Sequence, residues 1–65
     1  MICLDNDKLI VQGYQKILKV NEDEIVFMIY KKTIVVLGNN LSLPFFENDE
    51  FILKGKIEKI EISDN

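Results

Sequence analysis

The chain of 65 residues contains no histidine, no arginine, one cysteine, one proline and three glycines. Each scarcity excludes something. Cys3 alone cannot close an internal disulfide, and without histidine it has neither an activating base nor the partners of a structural zinc site. Ser42 and Ser63 lack a histidine base for the same reason, so the residues point to no enzyme and to no cofactor or metal site. With eight lysines, eleven acids and a net charge of −3, no basic stripe is available to follow a phosphate backbone, and arginine is absent from any base-reading role. That argues against a nucleic-acid partner. No apolar run approaches the roughly 18 residues of a membrane-spanning helix. The N-terminus also lacks the basic and apolar regions of a signal peptide. A lone cysteine suits a reducing compartment, and a cytoplasmic protein is expected.

What the chain has is aliphatic density. Ten residues are isoleucine and 48% are hydrophobic. A single domain over 1–65 has little chain with which to build a core. With neither disulfide nor zinc, burial against another copy or a partner is the remaining route to stability. A homo-oligomer is therefore expected.

The apolar runs are short and rich in β-branched residues, and they read as strands: "KLIVQG" at 8–13, "QKILKV" at 15–20, "EIVFMIY" at 24–30, "TIVVLG" at 33–38, "LSL" at 41–43, "EFILKG" at 50–55 and "KIEKIEI" at 56–62. No segment keeps a helical period. "NEDE" at 21–24 reads as an acidic turn, Lys31 and Lys32 as a hairpin turn, and "PFFENDE" at 44–50 as the longest irregular piece. Three times an apolar strand reaches a glycine and a second strand begins at once, at Gly13, Gly38 and Gly55. Glycine enters backbone conformations that a Cβ resists, so each is expected to be a bend or bulge that curls the sheet. The fold class is all-β: a small antiparallel curled sheet or sandwich of six to seven short strands with strand–glycine–strand corners.

Alternation assigns faces. Ile60 and Ile62 oppose Lys59 and Glu61. The run "EIVFMIY" is apolar on both sides, with Ile25, Phe27 and Ile29 on one and Val26, Met28 and Tyr30 on the other; "TIVVL" behaves likewise. The expected core is Ile10, Ile25, Phe27, Ile29, Val36, Leu43, Leu53, Ile60 and Ile62. The second face of the central hairpin, Val26, Met28, Tyr30, Val35 and Leu37, is then left for a partner. Phe45 and Phe46 join it as candidates. In a loop they either plug the core or anchor a partner, and in a strand they would point to opposite sides. The acidic clusters at Asp5 and Asp7, at 22–24 and at 47–50 match no calcium-loop pattern and read as solvated turns.

The order of these pieces resembles the YabP/YqfC family of sporulation proteins. The likeness lies in "LIVQGYQKILKV", in "VVLGNNLSL" with its Leu41 and Leu43, and in "ILKGKIEKIEI" with Gly55, Lys56 and Ile57, and it covers about residues 8 to 62. Two departures stand out. The N-terminus is shorter than the family pattern, and Lys31, Lys32 and Thr33 replace a glycine-containing hairpin turn, so a wider or differently shaped turn is expected there. The resemblance implies no catalytic residue. It implies a non-catalytic role in endospore formation in a Gram-positive bacterium through protein–protein contacts, with a membrane-bound sporulation protein among the candidate partners and a cytoplasmic location beside a sporulation membrane. A small-ligand or carbohydrate-binding β module, with its site near 44–50, is the alternative.

Overall fold

A computed structural model describes residues 2–5 and 7–64. The described residues form six strands: β1 (Ile2–Asp5), β2 (Lys8–Gln12), β3 (Lys16–Val20), β4 (Glu24–Ile29), β5 (Lys32–Phe46) and β6 (Glu50–Asp64). They make one antiparallel sheet in the order β1-β2-β6-β5-β4-β3. β1 and β3 stay at its two ends, so the sheet is curled and not closed into a barrel.

The curl comes from the two long strands. β5 and β6 each hold 15 residues. Fully extended, each would span about 50 Å at roughly 3.3 Å per residue. The domain measures only 26 × 22 × 19 Å, so both strands must bend. They bend together, where the pairing slips around Gly38 on β5 and where β6 passes Gly55. A Cβ on Gly38 would overlap the Lys56 carbonyl oxygen and lie 3.1 Å from the Ile57 Cα. One on Gly55, whose φ is +133°, would lie 2.6 Å from the Asn40 carbonyl oxygen. Each glycine lets the neighbouring backbone pass where a side chain would stand. The corner is pinned from the β3–β4 turn: the Gly38 N–H donates to the Asp23 carbonyl at 3.1 Å and the Leu41 N–H to that of Glu22 at 2.8 Å. Gly13, with φ +81°, turns the chain from β2 into β3.

The bend folds the sheet onto itself. One half holds β1, β2, the start of β6 and the end of β5. The other holds the end of β6, the start of β5, β4 and β3. Their inner faces meet in a core of Leu9, Val11, Ile25, Phe27, Ile29, Ile34, Val36, Leu41, Phe51 and Leu53. Phe27 of the second half meets Phe51 of the first edge-to-face, with ring centroids 5.1 Å apart. Tyr14 closes the side: its ring stacks edge-on to Phe51 at 5.1 Å, and its hydroxyl donates to the Glu47 carbonyl at 2.7 Å.

Several sequence expectations change. The runs at 33–38 and 41–43 are one strand, β5, and those at 50–55 and 56–62 are β6, because the glycines bend the strands without ending them. β1 was not anticipated. The segment 44–50 is mostly strand: β5 continues to Phe46, leaving only 47–49 as turn. Pro44 is accommodated near the free end of β5, as a residue without an N–H requires. In the core, Ile10 faces outward and is half-buried, Leu43 is only half-buried, and Ile60 and Ile62 are exposed. Leu9, Val11, Ile34, Leu41 and Phe51 are buried in addition. Cys3 is exposed on β1.

The β4–β5 hairpin is tight. Ile29 pairs with Lys32, so the loop is Tyr30–Lys31, with φ of 51° and 63°. Both values lie in the left-handed region that glycine and asparagine tolerate best. The turn is therefore narrow, and Tyr30 belongs to it instead of to a strand face. Replacing Tyr30 and Lys31 by Asn and Gly should stabilise the domain by about 1–2 kcal/mol. A chemical denaturation midpoint that fell or stayed put would contradict the assigned turn.

Candidate functional surface

Cross-strand register decides which side chains share a face, because residues directly opposite one another project to the same side. On the outer side of the second half, Val26 sits opposite Val35, Met28 opposite Thr33, and Leu37 between Glu24 and Lys59. Val26, Met28, Val35 and Leu37 are half-buried and form one apolar patch. The same strands send Ile25, Phe27, Ile29, Ile34 and Val36 into the core. Four of the five residues expected on this face are thus brought together. Tyr30 is not among them; it lies exposed at the hairpin tip.

The rim of the patch carries both signs of charge. Lys16 lies opposite Met28, Lys19 opposite Val26, and Glu61 opposite Val35. Lys19 is tied to Glu24 at 2.7 Å. The hydrogen bond and charge of Glu24 hold the Lys19 ammonium above its ordinary pKa. Lys59 and Glu61 pair along their own strand at 3.0 Å. An apolar centre with a mixed-charge rim has the layout of a protein-contact surface.

Phe45 and Phe46 separate as adjacent strand residues must. Phe46 lies opposite Phe51 on the inner side. It remains 58% exposed and touches the Tyr14 ring at a centroid distance of 6.1 Å. Phe45 lies opposite Ile52 on the outer side and is 38% exposed. Phe46 thus flanks the core and Phe45 faces solvent. Neither reaches the patch on β4 and β5, which lies on the other half of the sheet.

Phe45 belongs to a second outer row that the sequence reading missed. Cys3 pairs with Ile10, Ile10 with Ile52, and Ile52 with Phe45, so one apolar row crosses four strands. Beside it runs a row of Asp5, Lys8, Lys54 and Ser42. The signal was available in "KLIVQ" and "EFILK", both apolar on two faces, once the phase of either strand was set.

Asn21, Glu22, Asp23, Asn39 and Asn40 line an open depression of about 550 Å³ at the corner. Asn39 donates to Glu58 there at 3.0 Å. Among the described residues no group of three His, Cys, Asp or Glu side chains is placed to hold a metal ion. Nor is any helix among them long and apolar enough to cross a membrane.

No protein-family model matches the chain, and neither a curated protein nor a solved structure is significantly similar to it.

Proposed function

We propose that the chain is a non-catalytic interaction module that acts through protein–protein contacts during endospore formation. Its docking surface is the outer patch of Val26, Met28, Val35 and Leu37, and another copy of the chain is the first partner. The observation that carries this reading is the two-sided use of β4 and β5. Their inner positions fill the core, while their outer positions present a contiguous apolar surface that no further element among the described residues covers. The sporulation part rests on the resemblance carried by the strand–glycine motifs. On that reading the module acts in the cytoplasm beside a sporulation membrane, where a membrane-bound protein is a further candidate partner.

The surroundings of Phe45 favour this reading over a sugar site. A carbohydrate platform needs an open ring face; Lys54 and Ser42 lie in the adjoining polar row, but the Phe45 ring is only 38% exposed and is flanked along its own row by Ile52 and Ile10.

Met28→Lys tests the surface. Its side chain projects outward, so the ammonium should be tolerated in the isolated domain while abolishing the apolar contact. Light scattering should show a fall in assembly mass with an unchanged circular-dichroism spectrum. Global unfolding would make the face part of the core, and an unchanged mass would remove the patch from any self-contact.

A further inference from the structure

We propose that the free edge of β6 is a second, separate self-association site, at which residues 59–61 pair antiparallel with the same residues of another copy about a two-fold axis through Ile60. Past Gly55, whose N–H still reaches the Asp7 carbonyl, β6 pairs only with β5 among the described residues. Its other side is an open ladder of backbone donors and acceptors.

The remaining free edges carry features that discourage pairing. β3 is interrupted by a bulge between Ile17 and Lys19 and carries two lysines. The end of β5 contains Pro44, which has no N–H. β1 is four residues long. From Lys59 to Asp64, β6 has regular register and neither a proline nor a bulge.

That segment is complementary to itself. Ile60 lies opposite the buried Val36, and Ile62 opposite the buried Ile34, so both face the core side. They are nevertheless 39% and 64% exposed, because no strand lies beyond them. Lys59 and Glu61 occupy the outer side, opposite Leu37 and Val35. With Ile60 facing its own copy, Lys59 of each chain meets Glu61 of the other, twice by symmetry. Opposite charges directly across an antiparallel pair are favourable and like charges are not. The alternative axis through Glu61 would set two glutamates side by side. Edge pairing also joins the outer patches of two copies into one continuous surface, so it extends the proposed docking reading without depending on it.

The test uses Met28→Lys as background, which removes the face contact. Sedimentation velocity over a concentration series should show that this variant still dimerises. Adding Lys59→Glu should leave only monomer, because a carboxylate would then stand at both positions that meet across the axis. Adding Lys59→Glu together with Glu61→Lys should restore the dimer, since the swapped charges again pair across the axis. A monomeric Met28→Lys background overturns the edge site, whereas an assembly mass equal to wild type counts against the face contact. A dimer indifferent to Lys59→Glu, or one the double swap fails to rescue, also overturns the edge register. If Met28→Lys does not fold, the two charge variants are read in the wild-type chain, where loss and rescue of one dimerisation step carry the same meaning.

Discussion

Gly38→Ala is expected to unfold the domain. A methyl group there would overlap the Lys56 carbonyl oxygen and crowd the Ile57 Cα at 3.1 Å. Both obstacles are backbone, so no rotamer change relieves them. The strands would have to separate at the corner that folds one half of the sheet over the other. Overpacking of this kind costs about 3 kcal/mol or more. A domain of this size has only about 3–10 kcal/mol of stability in total. Ser42→Ala, at an exposed position on the same strand, should change stability by less than about 0.5 kcal/mol. Thermal unfolding followed by circular dichroism separates the two. A Gly38→Ala variant that melts with the wild type would mean that β5 and β6 do not approach so closely at the corner.

Phe51→Ala should be the most damaging side-chain truncation. Phe51 is fully buried where the two half-sheets meet, and its ring contacts both Phe27 and Tyr14 edge-on at 5.1 Å. Its removal should cost about 3–5 kcal/mol, the range for a buried phenylalanine. Phe45→Ala should cost about 1–2 kcal/mol, because that ring lies on the outer side and is 38% exposed. Urea denaturation of the two variants checks the face assignment of β5 and β6 together. Equal losses, or a larger loss at Phe45, would require the strands to be rotated by one residue, which exchanges the inner and outer faces.

The corners were legible in the sequence because glycine has a physical meaning that survives without context. Gly38 and Gly55 interrupt runs otherwise ideal for strands, and the close crossing of β5 and β6 is the reason they do. The faces of "EIVFMI" were also legible, since Phe27 and the flanking isoleucines outweigh Val26 and Met28. Other phases were not. "KLIVQ" and "FILK" are apolar on both sides, so alternation alone cannot choose between Ile10 and the pair Leu9 and Val11. Which face is inward follows from pairing with β6, a contact distant in sequence. Ile60 and Ile62 were assigned the correct side, but their burial was overestimated because β6 is the last strand of its half-sheet. Tyr30 was misplaced because a two-residue turn of left-handed residues is normally announced by asparagine or glycine, and this one is not. The outer patch was visible as two alternating pairs, Val26 with Met28 and Val35 with Leu37; the row ending at Phe45 was hidden by the same phase ambiguity that concealed Leu9.

The proposed role in spore formation rests on a surface of this domain. The most direct measurement is the count of heat-resistant spores from a strain lacking the gene, complemented with the wild-type chain or with Met28→Lys at matched protein levels. The account expects the deletion to lower the count sharply, the wild type to restore it, and the folded Met28→Lys variant to fail. An unchanged count on deletion would contradict the sporulation role. Full rescue by Met28→Lys would contradict the claim that this outer face is where the protein acts.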